Sequence, residues 1–262
     1  MQLKIDGKRA FVATGGRPLN HERPSIVFVH GAGLDHSVWP LPMRHFRRHG
    51  RNVLGVDLPG HGRSAGPALD SIAAMADWVA AALETTKIEQ AAIVGHSMGS
   101  LVALETAARH PSRTRALAML GTATPMPVHE QLLAAAQAND YRALDMLSLW
   151  GHAYAGQIGG FGAPGMWKTG GHLRLLEQAA PGVIYADLKA CNDYGDGLAN
   201  AGRVTCPTLL IIADHDLMTP AKAAKALAVA IPQSRVVEIQ NCGHAMLTEQ
   251  PNSVLDALIE IL

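Results

Sequence analysis

The sequence predicts an α/β fold, a doubly wound and mostly parallel sheet interrupted once by a helical cap insertion. Three observations carry this. First, Ser25–Val29, Asn52–Val56, Ala91–Val94, Arg115–Leu120, Thr208–Ala213 and Arg235–Ile239 are short, largely apolar runs of strand length, and unbroken apolar runs are what strands covered on both faces require. Second, helical stripes alternate with these strands, the pattern of parallel sheets whose chemistry gathers at the strands' carboxyl ends. Third, that rhythm stops between Thr122 and Arg203, where several helical segments follow one another without a convincing strand. With 262 residues, 48% hydrophobic and 17% charged, the chain is long enough to bury a sizeable core. The division expected is a core of residues 1–121 and 204–262 and a cap of 122–203.

Each element has its own signal. Leu3–Ile5 and Ala10–Ala13 flank Asp6-Gly7, a hairpin step, so two antiparallel edge strands should open the chain. Ser25–Val29 leads into His30-Gly31-Ala32-Gly33. Val38 to Gly50 can hold a short helix closed by the glycine. Asn52–Val56 ends in Asp57-Leu58-Pro59-Gly60-His61-Gly62-Arg63-Ser64. Ser71 is a good helix start, with Ile72, Met75, Ala76, Val79, Ala82 and Leu83 forming one apolar stripe. His110-Pro111 ends the helix that follows the Ala91 strand. An Ala-rich helix to about residue 230 and a closing helix from Pro251 complete the series.

Within the insertion, Gly156, Gly159, Gly160, Gly162, Gly165, Gly170 and Gly171 fall in sixteen residues. That density is expected to exclude continuous regular structure and to suit a mobile connection. Trp150, Trp167, Met146 and Met166 are candidates to line a substrate pocket beneath a lid, or to pack the lid onto the body.

The stretch Ala91 to Ser100 carries the chemistry. An apolar strand stops at Gly95-His96-Ser97-Met98-Gly99, and Leu101, Val102, Leu104 and Ala108 continue at helical spacing. A serine at the apex of so tight a turn needs small neighbours on either side, and Gly95 and Gly99 provide them. This is a G-x-S-x-G nucleophile elbow in its required strand-to-helix context. A serine hydroxyl is a poor nucleophile by itself. It requires a base within hydrogen-bond reach and a carboxylate to orient that base.

Together, His30-Gly31-Ala32-Gly33, the Asp57 to Ser64 loop, the elbow, Asp216-Leu217-Met218-Thr219-Pro220 and Gly243-His244 resemble the α/β-hydrolase family, in the family's order and over nearly the whole chain outside the insertion. The resemblance implies Ser97 as nucleophile, His244 as base and Asp216 as orienting acid. Asp214 follows the same strand, but the Asp-x-x-x-Pro turn favours Asp216. The segment Gly121–Pro125, where some relatives carry the acid, holds no carboxylate. Met98 N–H, at a helix start, and Ala32 N–H would form the oxyanion hole. No cofactor and no metal is implied. His45 and His49, four apart, fit a solvated Arg-rich helix better than a metal site. His61 and His96 resemble the family's loop-packing residues.

A serine at position 97 excludes the relatives that use an aspartate nucleophile, the haloalkane dehalogenases and epoxide hydrolases. A carboxylesterase for a small, largely apolar acyl substrate is expected first. Carbon-carbon bond hydrolase, thioesterase and lactonase share the triad; cofactor-free haloperoxidase, perhydrolase and acyltransferase also occur on this fold, as does a receptor without turnover. The insertion holds seven acidic and five basic residues and no dense basic cluster for a phosphate-rich carrier. Overall, 22 basic and 22 acidic residues cancel, so no nucleic acid or anionic membrane partner is indicated. The amino terminus lacks an apolar signal region and no run reaches about 18 apolar residues, so a cytoplasmic location is expected. Cys191, Cys206 and Cys242 form no ligand-spaced array and read as structural thiols. A homo-oligomer is open.

Overall fold

The computed structural model describes residues 1–160 and 166–262. Eight strands form one sheet: β1 (Gln2–Ile5), β2 (Lys8–Ala13), β3 (Ser25–Val29), β4 (Asn52–Asp57), β5 (Ala91–His96), β6 (Thr114–Leu120), β7 (Thr208–Ala213) and β8 (Ser234–Ile239). Their spatial order is β1-β2-β4-β3-β5-β6-β7-β8. The β1–β2 and β2–β4 pairs are antiparallel and every other pair is parallel. The hairpin at Asp6-Gly7 and the parallel core are therefore as the patterning predicts. β3, β4, β5 and β7 are buried along their whole length, which is why their sequences show apolar runs instead of alternation.

Helices α1 (Pro40–Arg48), α2 (Ile72–Thr85) and α3 (Met98–Arg109) follow β3, β4 and β5. Between β6 and β7 lie α4 (Glu130–Gln137), α5 (Arg142–Gly151), α6 (Tyr154–Gln157), α7 (Lys168–Leu176), α8 (Val183–Asp193) and α9 (Gly197–Ala201). α10 (Ala221–Ala230), α11 (Met246–Glu249) and α12 (Pro251–Ile259) complete the chain. One face of the sheet packs on α2 and α3 through Met75, Val79, Leu83, Leu101 and Leu104. The other packs on α1 and α12 through Met43, Phe46, Val254 and Leu258. Sequence signals set the helix starts: Ser71 Oγ accepts from Ala74 N–H at 3.4 Å, and prolines open α1 and α12, where a missing N–H costs nothing.

The segment between β6 and β7 contains no strand among the described residues and has a small core of its own, in which Leu132, Leu147, Leu176 and Leu188 pack around Leu34 from the loop after β3. Regular structure is not continuous among the described residues of its glycine-rich stretch, as expected, but helices reach into both ends of it. Gly156 lies in α6, and Gly170 and Gly171 lie inside α7. Gly170 is explained by packing, because a Cβ there would sit 2.1 Å from the Trp167 ring, which folds across the helix backbone. Gly162 and Gly165 lie outside the described residues.

Candidate active site

β5 ends at His96 and α3 begins at Met98, leaving Ser97 alone to reverse the chain. Its backbone has φ 55° and ψ −124°, a conformation that costs an L-residue about 1–3 kcal/mol. The packing of the turn enforces it. A Cβ on Gly95 would lie 1.8 Å from the Gly99 carbonyl, and one on Gly99 would lie 2.3 Å from the Val29 carbonyl. Only glycine fits at either place, and the turn is closed further by Ser97 N–H donating to Leu120 O at 2.9 Å.

His244 enters from the loop after β8. Its Nδ1 is 2.8 Å from Asp216 Oδ2, in the loop after β7. Facing a carboxylate, Nδ1 carries the proton, which leaves the Nε2 lone pair available; Nε2 is buried and has no hydrogen-bond partner among the described residues. Asp216 Oδ1 accepts the N–H groups of Met218 at 2.9 Å and Thr219 at 2.7 Å, and Thr219 Oγ1 donates to Oδ2 at 2.7 Å. Burial pushes the Asp216 carboxyl up, but the His244 ring and the hydrogen bonds from His244 and Thr219 outweigh it and hold the group below its ordinary value. Among the described residues Asp214 makes no hydrogen bond to His244: its oxygens accept the N–H groups of Asn241 and Cys242, a local loop role.

The loop bearing His244 is pinned on three sides. His96 Nε2 donates to the His244 carbonyl at 2.8 Å, and Ala245 N–H donates to Gly151 O of α5 at 2.6 Å. Buried Glu249 accepts from Gly243 N–H at 3.0 Å and from Ala153 N–H at 3.2 Å. Gly121, at φ 56°, leaves room for the ring, since a Cβ there would lie 3.0 Å from it.

The loop after β3 runs close to Ser97, with a Cβ on Gly31 reaching within 3.2 Å of Ser97 Cβ. His30 sets the peptide that follows. Its Nε2 accepts Leu58 N–H at 3.2 Å, so the ring proton is on Nδ1, which donates to Gly31 O at 2.9 Å. Leu34 N–H donates to the same carbonyl at 3.2 Å. Because a trans peptide is planar, fixing the Gly31 carbonyl aims the Ala32 N–H in the opposite direction. Met98 occupies the first position of α3, where a backbone N–H has no intrahelical acceptor.

Ser97, Ala32, His96, Thr219 and His244 line a cavity of about 820 Å³, whose walls are mostly apolar and include Leu132, Leu147 and Leu176. Trp150, Met166 and Trp167 line it too, and the last two are 60% and 69% exposed, which puts them at its rim. Met146 is not in its lining; it packs against the leucine core of α4, α5 and α7. His172 lines the cavity as well, a residue that sequence reasoning passed over for want of a motif around it. Thr219 was likewise missed, although a hydroxyl three residues after the acid is a readable turn signal. Among the described residues, Asp35, His36 and Asp57 bring three ligating atoms within 4.8 Å of one another. Asp57 is already committed there, accepting the N–H groups of His36 and Arg63, each at 2.9 Å.

No helix among the described residues is long and apolar enough to cross a membrane. A sequence profile of the alpha/beta hydrolase family matches residues 26–257. The chain is 32% identical to a pimeloyl-[acyl-carrier protein] methyl ester esterase of Chromobacterium violaceum, over 91% of this chain and 94% of that one. It is 30% identical to a putative carbamate hydrolase of Klebsiella pneumoniae, over 85% of each chain. In structure it resembles the enol-lactonase from Burkholderia xenovorans, with a TM-score of 0.87 at 21% identity over 99% of this chain and 98% of that one, a likeness of fold. The eight-stranded sheet, the glycine-locked elbow and the matched span agree: this chain belongs to the alpha/beta hydrolase family and is a hydrolase.

Proposed function

We propose that the chain is a carboxylesterase for small, largely apolar esters, acting through an acyl-enzyme on Ser97, beneath a helical cap formed by residues 122–203. The observation that carries this reading is the His244–Asp216 pair, 2.8 Å apart and buried, facing the same apolar cavity as the strained serine. Ser97 Oγ attacks the ester carbonyl carbon while His244 Nε2 takes its proton. The carbonyl oxygen becomes an oxyanion held by the N–H groups of Ala32 and Met98, each such donor being worth about 10²–10³ in rate. The tetrahedral species collapses, the carbon–oxygen bond to the alcohol breaks, and His244 returns the proton to the departing oxygen. Water then repeats the sequence on the acyl-enzyme, with His244 as base, and releases the carboxylic acid.

Asp216 keeps His244 in the tautomer the first step needs and stabilises the imidazolium that forms. The walls choose the substrate: Leu132, Leu147 and Leu176 favour an acyl chain, and among the described lining residues no cluster of cations awaits a polyphosphate carrier. The names of the similar proteins, a methyl ester esterase and a carbamate hydrolase, share an acyl carbonyl as the reacting group and support this class.

A panel of activated esters of increasing acyl length, with matched thioesters and lactones, tests the reading. The shaped cavity predicts kcat/KM rising with chain length to an optimum and then falling, with esters ahead of thioesters. Rates flat across the panel would contradict a selective acyl pocket, and absence of turnover on every member would favour a receptor.

A further inference from the structure

The loop that presents Ala32 is held from two directions. His30 fixes Gly31 from the side of the sheet. On the other side, Gly33 N–H donates to Asp187 Oδ2 at 2.8 Å, and Asp187 belongs to α8, an inserted helix. Contact here is tight: Gly33 has φ 68°, and a Cβ on it would lie 2.8 Å from Ile184 and 3.3 Å from Leu176. The same Asp187 oxygen lies 2.7 Å from His61 Nε2, in the loop after β4.

Both ring nitrogens of His61 face groups that only accept, Nε2 the carboxylate and Nδ1 the Pro59 carbonyl at 3.0 Å. This arrangement favours the doubly protonated ring, paired with Asp187. Burial alone would push this ring down, but the Asp187 charge and hydrogen bond prevail and raise it above its ordinary value. His61 is 3% exposed and Asp187 0%, and Asp187 Oδ1 is buried with no hydrogen-bond partner among the described residues. A buried ion pair with one oxygen unsatisfied is a poor source of stability, because desolvation offsets most of the Coulomb gain.

We propose that Asp187 is a positioning residue for the oxyanion hole: from the inserted helix it grips Gly33 N–H, with His61 as counter-charge, and so keeps the neighbouring Ala32 N–H aimed at the reacting carbonyl. The inference rests on the reading of Ala32 N–H as an oxyanion donor. It makes the hole a composite of core and insertion, complete when α8 is seated on the loop. A donor that must be aimed at the oxyanion loses its effect when its peptide rotates, and misplacement on the order of 1 Å costs about 10² in rate.

Asp187→Ala and Asp187→Asn, with Ser97→Ala alongside, test this on an activated short-chain ester and with phenylboronic acid, whose serine adduct places an anionic oxygen in the hole. Asp187→Ala should lower kcat by about 30- to 100-fold with KM unchanged, and weaken boronate binding in parallel. Asp187→Asn keeps an acceptor for Gly33 N–H but loses the charge, so it should recover part of the loss and stand about 3- to 10-fold below the parent chain. A purely structural role would lower the Tm and leave kcat and boronate affinity of the folded fraction at their parent values. If Asp187→Ala does not fold, Asp187→Asn decides: a fall in kcat matched by a fall in boronate affinity supports the proposal, and parent values for both overturn it. Turnover retained by Ser97→Ala would instead remove the underlying reading of the site, so the two failures are told apart.

Discussion

Ser97→Ala is expected to leave a folded protein whose kcat on an activated ester falls by about 10⁴-fold or more, because in the proposed mechanism the triad acts as a unit and losing its nucleophile removes the covalent route altogether. The fold should tolerate the change. The backbone at 97 is held at φ 55° by the Gly95 and Gly99 contacts and by the Leu120 hydrogen bond, none of which involves the side chain. Alanine meets the same backbone strain as serine, and the Ser97 hydroxyl makes no hydrogen bond among the described residues. Steady-state kinetics with a thermal melt as control checks both halves. A residual rate within tenfold of the parent chain would place the nucleophile elsewhere.

Acidification from pH 7 to pH 5 should destabilise the protein through its buried histidines. Burial pushes three histidines far below the ordinary value of 6.5: His30, next to His61, to about 4; His96, next to His244, to about 3; and His172, next to His152, to about 3. In the folded chain these rings stay neutral at pH 5, whereas in the unfolded chain they take up protons from about 6.5 downward. The unfolded state therefore binds more protons between those limits, and stability rises with pH across the window. Each ring costs about 2 kcal/mol of stability at pH 5 relative to pH 7, at about 1.36 kcal/mol per unit. His36 and His61 have raised values and run the other way, their stabilisation being complete below 6.5 and lost as pH rises through their folded values. Asp216, held low, contributes stability that is lost only as pH falls through its depressed value, a more acidic window. Urea unfolding at pH 7 and pH 5 measures the sum. Equal stability at the two pH values would contradict neutral, buried rings.

The elements that position the elbow were legible because their signals are local. Strands covered on both faces must be apolar throughout, a turn through φ 55° must have glycines beside it, and Asp216 and His244 sit in loops that directly follow strands. Residues whose geometry depends on distant partners were not legible. Asp187 meets Gly33 and His61 only because α8 folds back over the loops after β3 and β4, and no spacing in the chain announces that. Gly170 reads as a helix breaker until the Trp167 ring is seen lying against it. Met146 and Trp150 share a helix and an apolar character, yet only Trp150 reaches the cavity, because the face that α5 presents is set by its packing on α4 and α7.

The assignment of Ser97 as the nucleophile is tested most directly by trapping the intermediate. The parent chain is mixed with excess activated ester, quenched in acid within the first turnovers, digested and weighed by mass spectrometry. The mechanism predicts one acyl group per chain on the peptide containing Ser97, absent after quenching from Ser97→Ala. An unacylated Ser97 peptide during active turnover, or an acyl group on another residue, would contradict it.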